Sequence, residues 1–199
     1  MEGGVPSIGT AADSRMFHFV TQIALPSRAV RIYSSAMSDM NEAIIEQATM
    51  EDLPQMADLL YDLFSHEGDF VPDRQKNIRG LTLILEQPSR GRIFVYRWNG
   101  QILGMINLLF TISTAEGGFV VLLEDVVVHH NHRGLGVGTQ LLNHAIEYAK
   151  KKDFLRLTLL ADRVNAEGQE FFQKHGFFVS KMIPLRLPLT KEAATLPKG

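Results

Sequence analysis

Apolar residues recur at helical spacing in two short runs and one long run along the chain, and at strand spacing between them. Leu53, Met56, Leu59, Leu60 and Leu63 lie on one side of a 3.6-residue period and predict a helix to about residue 64. Thr49 and Asp52 ahead of it form an Asp variant of the capping box, and Pro54 is tolerated in the first turn. Ile78, Leu81 and Leu85 mark a second helix over about 72–86, stopped by Pro88, with a polar loop at 66–71 between the two. Residues 43–48 make a short strand candidate before them. Past Gly91 the period drops to that of strands. Residues 93–98 form one, Asn99-Gly100 is a two-residue hairpin signal, 101–113 is the partner, and 119–128 returns after a turn at 115–118.

Val137, Leu141, Leu142, Ala145, Ile146 and Ala149 then hold one face of a long helix over about 136–152, and Lys150, Lys151 and Lys152 suit the negative end of its dipole. Residues 154–160 read as an apolar strand. Because a helix separates it from 119–128, those two strands should run parallel. A short helix over 165–175, closed by Gly176, and a last strand over 177–182 complete the pattern. The fold class expected is α/β, a mixed, mostly antiparallel central sheet flanked by helices.

Length and composition narrow this picture. A chain of 199 residues, 45% hydrophobic, supports one sizeable core. Residues 1–40 show no sustained period and read as a disordered or weakly ordered leader; Arg15, Arg28 and Arg31 give it a faint likeness to a transit peptide. The domain is expected over 41–189, with an irregular tail at 190–199. A net charge of −2 calls for no nucleic-acid partner, and no apolar run reaches the length needed to span a bilayer. Cysteine is absent, which removes disulfides, thiolate zinc sites and covalent catalysis through a thiol, and fits a cytoplasmic location.

The chemistry concentrates where the strand at 119–128 meets the long helix. Gly134, Gly136 and Gly138 form a loop that opens the helix, leaving backbone N–H groups unpaired with the positive end of the dipole behind them. That is a phosphate cradle. No Lys follows the glycines, so the P-loop pattern fails. The dinucleotide fingerprint G-x-G-x-x-G fails on spacing and on the single β-α-β unit, although Asp162 lies where its ribose-binding acid would be. What remains is Arg133-Gly134-Leu135-Gly136-Val137-Gly138, preceded by L-E-D-V-V-V and followed by Leu141-Leu142 and by Asn165, Phe171, Phe172, Gly176 and Phe177.

Together these motifs, and the element order from about residue 43 to 182, resemble the GNAT superfamily of N-acetyltransferases. The resemblance implies acetyl-CoA as co-substrate, with its pyrophosphate on the backbone of Arg133, Gly134, Leu135, Gly136, Val137, Gly138 and Thr139. It further implies that the backbone of Val126, Val127 and Val128 pairs with the pantetheine arm, and that Asn165 contacts the cofactor. No metal is expected; His129, His130 and His132 read as a solvent-facing loop cluster.

Acetyl transfer to an amine meets one large obstacle: an aliphatic amine is protonated at pH 7, and freeing its lone pair costs about 4–5 kcal/mol. A nearby carboxylate lowers that barrier. Glu124 and Asp125 are adjacent on a strand and should face opposite sides of the sheet. The resemblance, to small-amine acetyltransferases in particular, puts the base at Glu124. Many members carry a Tyr at the Phe172 position to protonate the leaving thiolate, and this chain departs from them there. With no Cys, a thioester enzyme intermediate is unavailable, and direct attack by the acceptor in a ternary complex is expected. The acceptor expected is a small-molecule or peptide amine, with Glu67 and Asp69 adding to an acidic mouth, and a homodimer is left open. The missing Tyr motivates a rival reading, a catalytically silent acyl-CoA-binding module.

Overall fold

The computed structural model describes residues 43–65 and 71–189. The expectations for residues 1–40, for 190–199, and for Glu67 and Asp69 lie outside the described residues. Five strands form one sheet in the order β1 (Ile44–Gln47), β2 (Gly91–Trp98), β3 (Gln101–Ser113), β4 (Gly118–Val128) and β5 (Leu157–Leu159). The first four are antiparallel neighbours and β5 runs parallel to β4, as the intervening helix requires. The β2–β3 turn places Asn99 at φ 49° and Gly100 at φ 76°, the mirror-image turn whose twist matches the flanking strands.

Helix α1 (Leu53–Phe64) and helix α2 (Arg74–Glu86) cover one face of the sheet. A 3₁₀ turn over Met50–Asp52 leads into α1, and the Asp52 carboxylate accepts the Thr49 N–H at 2.8 Å. Asp52 also takes the Arg97 guanidinium at 2.7 Å, and Glu46 takes its Nε at 2.6 Å, so one arginine ties β1, β2 and the start of α1. The Asp52 carboxyl lies below its ordinary range: burial pushes it up, and Arg97 together with the Thr49 hydrogen bonds more than offsets this. Asp73 starts α2 by accepting the Gln75 and Lys76 N–H groups, each at 3.0 Å.

Helix α3 (Val137–Lys151) lies on the opposite face, with Leu141, Leu142, Ala145 and Ala149 wholly buried. Its N-terminal turn approaches the sheet closely because Gly104 of β3 has no side chain. A Cβ there would stand 2.9 Å from the Val127 carbonyl oxygen and 3.0 Å from Leu141. Helix α4 (Ala166–Lys174) follows β5, and among the described residues no helix is long and apolar enough to cross a membrane.

One expected element is absent. Residues 177–182 form no strand among the described residues; Phe177 turns toward the core, while Phe178, Val179 and Met182 stay exposed. A strand needs an edge to pair with, and β5 offers only three residues. Apolar composition alone could not supply that edge.

Candidate active site

β4 and β5 pair over Val121–Leu157, Leu122–Thr158 and Leu123–Leu159, and the pairing stops there. Val126, Val127 and Val128 stay bonded to β3 through Ile106, Met105 and Gly104, so their other edge is free of β5. Beyond them the chain makes a 3₁₀ turn, His130–His132, and then the glycine loop. Gly134 and Gly136 adopt φ 74° and 83°, which a side chain would strain, although no atom lies within 4 Å of either. Gly136 is the N-cap of α3 and brings no side-chain cap. None of the N–H groups of residues 134–139 donates to another group among the described residues, so they remain for a ligand at the positive end of the helix.

Each predicted loop residue takes a definite place. Val137 buries its side chain, 4% exposed, and has only backbone to offer, whereas Leu135 turns its own to solvent, 69% exposed. At Gly138 a Cβ would meet Phe171 at 3.5 Å and Val128 at 3.6 Å, ordinary contacts. The protein's own packing therefore does not require glycine at 138. Thr139 follows in the first turn of α3. A diphosphate fits this set of donors.

The sequence leaves two roles open for Arg133, and its contacts are those of a loop anchor. Its Nε donates to the Val128 carbonyl at 3.1 Å and a terminal nitrogen lies 3.5 Å from Asp62 of α1. Asp62 carries no motif, and nothing in the sequence pairs it with the loop. The three histidines pack on one another: His129 stacks on His130 with ring centres 4.4 Å apart and meets His132 edge-on at 5.4 Å. Among the described residues no group of three or more His, Cys, Asp or Glu is placed to hold a metal. Burial, then the neighbouring His130 and His132, push the His129 ring below its ordinary pKa.

Asn165 lies past the end of β5 and caps α4, its Oδ1 accepting the Gly168 N–H at 2.8 Å. Phe171 reaches the start of α3 beside Gly138, and Phe172 packs edge-on against Phe171 and Phe177 at 5.1 and 5.8 Å. Neither ring carries a proton to donate.

The two adjacent acids sit at a β-bulge. Leu108 faces Leu123 and Ile106 faces Val126, so Glu124 and Asp125 together oppose Asn107. Asp125 turns inward, 9% exposed, and its Oδ2 accepts from Asn107 Nδ2 at 3.1 Å, while Asn107 Oδ1 is buried without a partner. Glu124 turns outward to solvent. The sequence points to the acids and expects them on opposite faces; the bulge breaks that alternation, since Leu123 and Val126 on either side both pack toward α3, and neither it nor Asn107 can be read from the sequence.

Burial first, with Glu124 adding and Asn107 subtracting, pushes the Asp125 carboxyl up to about 6. Its folded pKa therefore exceeds its unfolded value, and between roughly pH 4 and 6 the folded state binds the extra proton. Stability must fall as pH rises through that window, by on the order of 3 kcal/mol for this group. Thermal melts should show the loss, and Asp125→Asn should remove it, leaving a flatter profile. A profile unchanged by the substitution would mean that Asp125 titrates normally.

Residues 53–177 match the acetyltransferase (GNAT) family. An uncharacterised N-acetyltransferase of Methanocaldococcus jannaschii is 27% identical over 148 residues, which are 74% of this chain and 66% of that protein. Streptothricin acetyltransferase A of Bacillus subtilis is 34% identical over 104 residues, 51% of this chain and 57% of that protein. The matches thus span between a little over half and about two thirds of these relatives' own length. Among solved structures, a possible acetyltransferase from Clostridium difficile 630 superposes with a TM-score of 0.68 at 17% identity, over 74% of this chain and 98% of that one, which speaks to the fold. With the family matched across both faces of the sheet, from the start of α1 to the residue after Gly176, the chain belongs to the acetyltransferase (GNAT) family.

Proposed function

We propose that the protein is an acetyl-CoA-dependent N-acetyltransferase acting on a primary amine by direct attack, with Glu124 as general base. The observation that carries this reading is the run of unpartnered N–H groups over residues 134–139, opening beside the free edge of Val126, Val127 and Val128. These donors suit the diphosphate, and the strand edge suits the amides of the pantetheine arm. Acetyl-CoA supplies an activated acetyl group as a thioester. Glu124 is the exposed carboxylate at the bulge, just where β4 leaves β5. There it can take a proton from the incoming ammonium, directly or through one water, as the amine nitrogen bonds to the acetyl carbon and the thiolate departs. Phe172 offers no proton to that thiolate; a thiol of pKa about 8.5 leaves adequately without one.

The acceptor class follows from the exposed carboxylate: a cationic primary amine. A relative acts on streptothricin, as its name states, and that compound belongs in the screen. Release of free CoA is measured with streptothricin, diamines, amino acids and peptide N-termini. Acetyl-CoA-dependent turnover with at least one cationic amine is expected. Binding of acetyl-CoA without turnover on any amine would replace this reading by that of a silent acyl-CoA-binding module.

A further inference from the structure

At the far end of α3 from the glycine loop, roughly 20 Å away along the helix, residues of β2, β3, β4 and the end of α3 line a pocket of about 280 Å³. Its walls are aromatic. Phe110 lies 4.8 Å from Phe154 and stacks on Tyr148 at 6.4 Å, while Phe119 meets Phe154 edge-on at 6.4 Å and is 58% exposed. Its charged members are Arg92 from β2 and Lys152 from the end of α3, and among the described residues no carboxylate lines it. Neither cation has an acidic partner among the described residues. Arg92 reaches only the Pro88 carbonyl, at 3.4 Å, and its Nε is buried without a partner. A buried guanidinium nitrogen without an acceptor is unusual in a folded protein.

We propose that this pocket binds a small aryl carboxylate, its ring among Phe110, Phe119, Tyr148 and Phe154 and its carboxylate on Arg92 and Lys152. Aromatic walls favour a flat apolar body in offset or edge-on contact. Two cations without carboxylates select an anion, and the guanidinium fork matches a carboxylate. The volume lies just below the range of drug-sized sites and accommodates one or two fused rings. An inorganic anion would leave the aromatic surface uncovered. The site shares no residue with the glycine loop or the bulge and stands whether or not the acetyl-transfer reading does.

The test is titration of the full chain with 2-naphthoate by calorimetry, beside naphthalene-2-carboxamide and 2-naphthylmethylamine. Naphthoate should saturate one site with a Kd of about 10–100 µM, and the neutral and cationic analogues should bind at least about tenfold more weakly. Lys152→Met and Phe119→Ser alter exposed side chains and spare the fold; each should weaken naphthoate about tenfold or more and leave the acetyl-CoA affinity unchanged. Three outcomes overturn the proposal: no saturation by about 1 mM, naphthoate affinity unaffected by both variants, or competition between naphthoate and acetyl-CoA. A concentration-dependent dimer that Phe119→Ser dissociates, without naphthoate binding, would assign the face to a second copy of the chain instead.

Discussion

Glu124→Gln is expected to lower kcat/KM at pH 7 by about 10²–10⁴-fold, the range of general acid–base catalysis, on whichever amine the screen identifies. Glutamine keeps the size and the outward direction of the side chain and removes only its basicity. The loss should depend on pH in a defined way. As pH approaches the amine's own pKa of about 10, free amine becomes abundant and the base is needed less. The gap between variant and wild type should therefore close at high pH. Asp125→Asn is the companion measurement, because that carboxyl points into the sheet against Asn107 rather than toward solvent. An unchanged kcat/KM in Glu124→Gln sinks the assignment, as does a gap that stays constant up to pH 10. A loss found only in Asp125→Asn moves the base to Asp125.

Gly136→Val should raise the Kd for acetyl-CoA at least tenfold, a loss of about 1.4 kcal/mol or more. The reason is conformational rather than steric. Nothing lies within 4 Å of a Cβ at 136, but φ is 83°, where a β-branched residue is strained by about 1–3 kcal/mol. The loop would relieve that strain by rotating its peptides, and the N–H groups at the head of α3 would no longer converge. Gly138→Ala separates loop geometry from ligand approach: its Cβ meets Phe171 and Val128 at ordinary distances, so stability should hold while a methyl group obstructs the ligand. Should both variants bind acetyl-CoA like the wild type, the diphosphate does not sit on this loop.

Much of the scaffold is legible in the residues because local rules and packing agree. Asn99-Gly100 needs left-handed backbone at both positions and makes the hairpin found there. The apolar stripe of α3 is the face that packs on the sheet, with Val137, Leu141, Leu142, Ala145 and Ala149 buried and Ile146 partly so. The strand at 177–182 fails for the opposite reason. Alternation and apolar content are properties of the segment, whereas pairing requires a neighbour, and β5 is too short to be one.

The site divides the same way. Glycines before a helix, an acid pair at the end of an apolar strand and an Asn opening the last helix are local signals, and the sequence by itself determined the loop, the direction of α3 and the family resemblance. Tertiary structure alone decided which acid faces solvent, because the bulge opposite Asn107 arises from the register between β3 and β4. It alone revealed that Arg133 is held by Val128 and Asp62, and that Gly104 lets α3 approach the sheet. It also gathered Arg92, Phe119 and Lys152, from three separate elements, around one pocket. Such contacts join residues far apart in the chain, and no periodicity encodes them, since spacing carries information along one element and none about what that element will meet.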